Sequence, residues 1–251
     1  GGARQLAALG HRPTHELPGV GEGLMDHPII PIWAVAREGA CRESEAWHQV
    51  VARVATTPAT PSRAAPVTVP DLNLLLVNNV RDFPVPVIGN LLAGRTGICV
   101  STMLLSPVSR GVVTLRDAAP DARPVIVLRL ATASSDLERL VCGTRLAWSL
   151  VRASPFAELL QRILVWTDRM VGDDAMLSRA VTNLVSPAWN PAGSARMGPA
   201  TDEQAVVDQY CQVHSTTGLR VVDASVMPSI PSAPTNLTCI MLAERVAEWM
   251  D

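Results

Sequence analysis

Three stretches in the last quarter of the chain gather the residue types best suited to handle a small molecule. Trp189-Asn190-Pro191-Ala192-Gly193-Ser194-Ala195-Arg196-Met197-Gly198 places an amide before a proline- and glycine-marked turn. Gly218-Leu219-Arg220-Val221-Val222-Asp223-Ala224-Ser225 sends an apolar run into a carboxylate. Pro234-Thr235-Asn236-Leu237-Thr238-Cys239-Ile240-Met241-Leu242-Ala243-Glu244 opens a helical stretch. An asparagine amide donates and accepts hydrogen bonds but has no group that titrates near neutral pH. Asn190 and Asn236 can therefore hold a neighbouring group by hydrogen bonds, and Asn190 cannot serve as a general base. The first turn of a helix carries unpaired N–H groups equivalent to about half a positive charge. Thr235, Asn236, Leu237 and Thr238 would supply that turn. Each stretch also has a plainer account. Asn190 can cap a turn before Pro191, Asp223 can be an ordinary carboxylate at a strand end, and the last helix can be a capped surface helix.

Other chemistries find less support. Gly193-Ser194-Ala195 lacks the G-x-S-x-G elbow of a serine hydrolase. His11, His15, His27, His48 and His214 show no zinc-type spacing, and no metal site is expected. Asp26 and His27 are adjacent, and neighbours in a turn seldom make one catalytic unit, so His27 is read as a structural, hydrogen-bonded histidine. Cys41, Cys99, Cys142, Cys211 and Cys239 are scattered, odd in number and without a C-x-x-C pair. That pattern argues against a disulfide framework and for a reducing compartment, so a cytoplasmic location is expected. Asn236-Leu237-Thr238 matches a glycosylation sequon, which matters only in a secreted protein.

The 251 residues can bury a large core, and 48% apolar against 18% charged residues indicate a folded globular body. A net charge of −2 gives no electrostatic case for nucleic acid or an anionic membrane. No apolar run is long enough to span a bilayer as a helix. The sequence starts at Gly1-Gly2 rather than at Met, which points to a fragment or a processed product.

The elements that must position these residues follow from local pattern. A short helix over 2–10 closes on Gly10. Leu17-Pro18-Gly19-Val20-Gly21-Glu22-Gly23 reads as turn. Residues 40–70 are rich in Pro, Ala, Thr and Arg, with a surface loop at 57–66. Leu72, Leu74 and Leu76 alternate on one face of a strand, Val113 and Leu115 on another, and Pro124–Leu128 is a third. Turns separate these strands, which predicts an antiparallel sheet. Ser135 and Glu138 form a capping box for a helix whose Leu137, Leu140, Val141, Thr144, Trp148 and Val151 recur at helical spacing. Pro155 interrupts, and a second helix is predicted over about 156–170. Leu219–Asp223 reads as a short buried strand ending on its carboxylate, and a last helix spans about 237–250, capped by Thr235 or Asn236.

Five blocks, taken in order, resemble the glucose-methanol-choline (GMC) oxidoreductases. Leu17-Pro18-Gly19-Val20-Gly21-Glu22-Gly23-Leu24-Met25-Asp26-His27-Pro28 is similar to the family's L-P-G-V-G-x-N-L-x-D-H-P, with Gly23 where Asn is usual. Ser109–Arg116 resembles its S-R-G-x-V-x-L strand, and Asp136–Arg145 its D-L-x-x-L-V-x-G-x-R helix. The 189–198 and 218–244 stretches resemble its C-terminal active-site blocks. The resemblance covers nearly the whole chain. It implies an α+β / α/β GMC fold: an antiparallel-sheet substrate domain at 28–185, with 1–27 and 186–251 belonging to an FAD-binding domain. The family's G-x-G-x-x-G fingerprint, which seats the FAD pyrophosphate on a helix N-terminus, does not occur here. The N-terminal dinucleotide-binding half is therefore expected to be missing or supplied separately.

The implied reaction is oxidation of a small-molecule alcohol to a carbonyl, with hydride passing to the flavin N5 and O₂ or another acceptor reoxidising it. By resemblance, the catalytic positions are Asn190, where the family carries His in H-P-x-G-T-x-R-M-G, and Asn236. Asp223, Ala224, Thr235, Asn236, Leu237 and Thr238 are the implied FAD contacts, the last four at the flavin's N1–C2=O edge. The departure at Asn190 removes the usual base. Two other readings stay open: a GMC-like binding domain without flavin or catalysis, which Asn190 and the missing fingerprint favour, and a non-redox lyase on the same scaffold, against which Asn190 counts because that chemistry also needs a base.

Overall fold

The structure is a computed structural model that describes residues 2–42, 44–56, 69–81 and 86–250. The loop expected at 57–66 lies outside these described residues. In chain order the elements are α1 (Ala3–Ala8), β1 (Glu22–Leu24), β2 (Pro28–Ala36), β3 (His48–Val54), β4 (Leu72–Val80), α2 (Pro86–Leu92), β5 (Gly97–Leu104), β6 (Gly111–Thr114), β7 (Val125–Val127), α3 (Ser134–Arg152), β8 (Leu160–Ile163), α4 (Asp168–Gly172), α5 (Asp174–Leu184) and α6 (Asn236–Ala247). No described helix is long and apolar enough to cross a membrane. The contacts divide the chain into two units. One holds Gly1–His27, Leu105–Leu130 and Pro187–Asp251; the other holds Pro28–Leu104 and Ala131–Ser186. The sequence reading keeps 28–185 as one body, whereas this division puts 105–130 with the chain ends.

The second unit is built on an antiparallel sheet of order β3-β4-β5-β2-β8. Its centre is set by β2 against β5, with Ile32 opposite Val100 and Trp33 opposite Cys99. Both faces of the sheet's centre carry buried side chains. Ile30, Ile32, Ala34 and Ala36 of β2 and Leu72 and Leu74 of β4 share a core with Leu140, Ala147, Trp148 and Val151 of α3 and Leu177 and Val181 of α5. Trp33 and Val35 point the other way, into a smaller core with Val80, Leu92, Cys99 and Leu164. The period of two along a strand produces this division. Each fully buried Leu, Ile or Val contributes about 1.5–3 kcal/mol over its exposed state. Leu140, Leu177 and Ile30 are wholly buried.

The helix predicted from Ser135 is α3, but it begins one residue earlier. Ala133 is the residue at its N-cap and no side chain caps it, so the Ser135–Glu138 box does not form. The buried Asp136 instead takes an Arg139 guanidinium at 2.7 Å, satisfying the carboxylate within one turn. Gly143 lets α3 settle onto the sheet, since a Cβ there would lie 2.3 Å from Thr102 Cγ2 and 2.7 Å from Leu72 Cδ1.

The helix predicted over 156–170 is not formed. Phe156–Leu159 is a single 3-10 turn, Leu160–Ile163 joins the sheet beside β2, and α4 and α5 follow. Pairing with the edge of β2 and burial of Leu160 override local helical preference. Thr167 and Asp173 then cap α4 and α5 by accepting from the N–H groups of Met170 and Met176.

The first unit is less regular. β1, β6 and β7 form a three-stranded antiparallel sheet, the latter two at the positions the alternation predicts. The segment expected to be a buried strand over 219–223 is not one. It makes a single bridge, Arg220 with Gln212; Val221 and Val222 are half-buried, and Asp223 is exposed. Its valines instead pack, partly buried, against a core of Val206, Val207, Cys211, Val213, Val226 and Val246, the last from α6. All five cysteines are free thiols.

Candidate functional site

The predicted site residues all belong to the first unit, and backbone pairing brings their segments together. Met25 and Ala192 exchange N–H···O bonds of 2.8 and 2.9 Å, laying the chain after β1 against the Asn190 turn. Ala188 N donates to His27 O at 2.9 Å on the other side of that turn. Gly193 N, Ala195 N and Met197 N donate to Ala224 O, Ser225 O and Val226 O at 2.8–3.1 Å. This ladder sets Ala224 beside Gly193. Beneath it lies a small apolar cluster of Met25, Ala192, Met227 and Ile230, with Ala224, Cys239 and Leu242 packed on it.

Asn190 follows Trp189, whose φ of +64° lies in the left-handed region that a bulky residue rarely enters. The Asn190 backbone N–H donates to Asp26 Oδ1 at 3.0 Å. Its side-chain Nδ2 donates to Ala188 O at 3.1 Å, and its Oδ1 accepts from Thr235 N at 3.4 Å. One short side chain thus links the turn to the start of α6. Asn190 is half-buried, whereas Asn236 is exposed.

α6 starts at Asn236, one residue before the expected start. Thr235, buried at 9% exposure, takes the N-cap position, and no side chain caps the helix. Neither Asp nor Glu lies in its first turn. The positive pole formed by the backbone of Asn236, Leu237 and Thr238 is therefore not neutralised by a local acid. Leu237 is 76% exposed, and Ile240 and Met241 are exposed one turn later. Asp223 is exposed, and its carboxylate accepts from Ser225 N at 2.7 Å, capping the 3-10 turn Ala224–Val226. Asp223 thus caps a turn, and the strand expected before it is not formed.

Two residues at the centre of this arrangement show only as local structure in the sequence. Asp26 is 4% exposed and His27 is fully buried. The His27 ring bonds through Nε2 to Pro231 O at 2.9 Å. A carbonyl can only accept, so Nε2 carries the proton and Nδ1 is the bare nitrogen. Nδ1 is buried without a hydrogen-bond partner. Burial lowers the His27 pKa, against the opposing pull of the Pro231 carbonyl, the Asp26 charge and the Leu105 carbonyl. Burial likewise raises the Asp26 pKa above the usual carboxylate value, opposed by the N–H groups of Asn190, His27 and Ala188. The structural reading of His27 holds. What the sequence did not show is its reach: Asp26 and Asn190 lie 164 positions apart, and His27 and Pro231 lie 204 apart. The D-H pair is a visible signal, but its partners are not local.

A flavin fits this donor set on one observation in particular. The first turn of α6 is a helix N-terminus with no capping side chain and no first-turn acid, beside an amide-bearing turn. Such a terminus suits the electron-rich edge of a reduced heterocycle.

Known proteins resemble this chain over nearly its whole length. A family model described as "GMC oxidoreductase" matches residues 107–243, more than half of the chain. The 5-(hydroxymethyl)furfural oxidase of Methylovorus sp. (strain MP688) is 33% identical over 267 residues, covering 99% of this chain and 46% of its own length. The glucose dehydrogenase (FAD, quinone) of Drosophila melanogaster is 32% identical over 276 residues, covering 97% and 42% respectively. The chain spans less than half the length of these curated relatives. Among solved structures, a pyridoxine 4-oxidase given as from Mesorbium loti superposes with a TM-score of 0.78 over 99% of this chain and 47% of its own. At 22% identity that likeness is one of fold.

Proposed function

Since this chain belongs to the GMC oxidoreductase family, we propose that it carries the C-terminal part of a flavin-dependent enzyme that oxidises a small-molecule alcohol to a carbonyl. The observation that carries the reading is the meeting of the Asn190 turn with the uncapped N-terminus of α6, through Asn190 Oδ1 and Thr235 N. The first unit is assigned to flavin binding and the second to the substrate side. The dinucleotide-binding half of the flavin site is assigned to sequence that the longer relatives have and this chain does not span. Reoxidation is assigned to O₂ or another small acceptor, and the location to the cytoplasm, in keeping with five free thiols.

Thr235, Asn236, Leu237 and Thr238 would hold the electron-rich edge of FAD, with Asp223 and Ala224 as further contacts. Bound FAD would accept the hydride released from the carbinol carbon. Asn190 and Asn236 would orient the hydroxyl through their amides. Neither takes the proton, because an amide has no titrating group in this range. Loss of a general base costs about 10²–10⁴-fold, which leaves a slow enzyme rather than an inert one. Restoring the base by Asn190→His is then expected to raise kcat within that range.

A second reading is a flavin-free member of the family that binds without catalysis. It is favoured by one observation: both ends of the Asn190 amide are engaged inside the protein. The test is a screen of the full-length protein, supplied with FAD, against primary and secondary alcohols with O₂ and with a redox dye. Carbonyl product above a flavin-only control supports oxidation. A protein that takes up no FAD and forms no product supports the second reading.

A further inference from the structure

Asp26 and His27 sit where the two amide-bearing segments of the site are anchored. Asp26 Oδ1 accepts the N–H of Asn190 at 3.0 Å, and His27 O accepts that of Ala188 at 2.9 Å. Between those two bonds lies Trp189 at φ +64°, a conformation that costs about 1–3 kcal/mol and persists only when its surroundings hold it. His27 Nε2 holds Pro231 O at 2.9 Å, a few residues ahead of Thr235 and α6. Both side chains are removed from solvent, so neither bond competes with bulk water.

We infer that Asp26 and His27 are positioning residues: Asp26 sets the Asn190 turn, and His27 sets the lead-in to α6, so that the two amides face one substrate. This rests on the proposed role of Asn190 and Asn236. Neither residue touches substrate on this account. Asp26 acts through the Asn190 backbone, and His27 through the Pro231 carbonyl. A carboxylate suits the first task because a charged acceptor gives a shorter, stronger bond to a backbone N–H than a neutral one. An imidazole suits the second because it can present one N–H to a carbonyl from a fully buried position. A misplacement of about 1 Å in a reacting group can cost on the order of 10²-fold in rate, so small slippage of this turn is enough to be measured.

The experiment compares Asp26→Ala, Asp26→Asn, His27→Ala and His27→Gln in the full-length protein supplied with FAD. Two readouts are taken: amide hydrogen exchange at Asn190 and Thr235, and the separate effects on kcat and KM for alcohol oxidation. Asp26→Ala is expected to speed exchange at Asn190 on the order of tenfold, with Val100 in the β-sheet core unchanged. It is expected to lower kcat by about 10–100-fold with KM little altered. Asp26→Asn keeps an oxygen acceptor and is expected to restore most of both losses. His27→Gln keeps an N–H donor and is expected to do the same for exchange at Thr235, where His27→Ala does not. The inference is overturned if Asn190 exchanges at the wild-type rate in Asp26→Ala. It is also overturned if exchange rises equally at Val100, or if Asp26→Asn is as impaired as Asp26→Ala. If the wild-type protein oxidises no alcohol, the proposed function fails, and the exchange data alone still decide whether Asp26 and His27 hold these segments.

Discussion

Replacing Gly193 by alanine puts a Cβ into the tightest part of the site's backbone. Gly193 has a φ of +85°, and its added Cβ would lie 2.4 Å from Met25 Cε and 2.9 Å from Gly23 O. The left-handed backbone costs an L-residue about 1–2 kcal/mol. The methionine methyl can swing aside, but the Gly23 carbonyl is main chain, and forcing it away adds about 1–3 kcal/mol. Reduced entropy of the unfolded chain returns about 0.4–1 kcal/mol of this. The net expectation is a loss of about 1–5 kcal/mol, which lowers Tm by about 2–4 °C per kcal/mol in a protein of this size. Urea unfolding followed by circular dichroism measures it. Gly172→Ala is the control, because nothing lies within 4 Å of its Cβ and its φ is unremarkable. A Gly193→Ala protein within about 0.5 kcal/mol of wild type, the scatter of ordinary surface substitutions, would refute the argued packing of this turn.

Other expectations follow from the same structure. The folded-state pKa of His27 is depressed, so its contribution to stability is present above the ordinary value of about 6.5 and is lost as pH falls through the folded value. His27→Gln should abolish that part of the pH dependence, measured as the difference in Tm between variant and wild type across mildly acidic to neutral pH. Cys99 is buried with its pKa pushed up to about 12, and Cys142 is exposed on α3. Maleimide at neutral pH should label Cys142 in the folded protein and reach Cys99 only after unfolding, as read by peptide mass spectrometry. Leu140→Ala should cost about 2–5 kcal/mol in urea unfolding, because Leu140 is wholly buried between α3 and the sheet.

Legibility in the sequence depended on how one-sided each element is. β4 shows Leu72, Leu74 and Leu76 on one face, and α3 carries its buried stripe at helical spacing, so both were readable. β2 and β5 were not named as strands. All eight residues of β5 are buried, and β2 feeds side chains into cores on both faces of the sheet, so neither shows the alternation that marks a half-exposed strand. Leu160–Ile163 reads as helix in the sequence because its decisive partner, β2, lies more than a hundred residues earlier. At the site, the start of α6 was legible from Thr235 and Asn236 as helix-start residues. The hold of Asp26 and His27 on Asn190 and Pro231 was not, because long-range hydrogen bonds leave no local pattern.

The most direct test of the proposed chemistry is anaerobic mixing of the FAD-loaded full-length protein with an alcohol and with the same alcohol deuterated at the carbinol carbon. The flavin's visible absorption is expected to be lost in step with carbonyl formation, more slowly with the deuterated alcohol, and faster in Asn190→His. FAD that stays oxidised in the presence of every primary and secondary alcohol tested, in wild type and in Asn190→His alike, would contradict that chemistry.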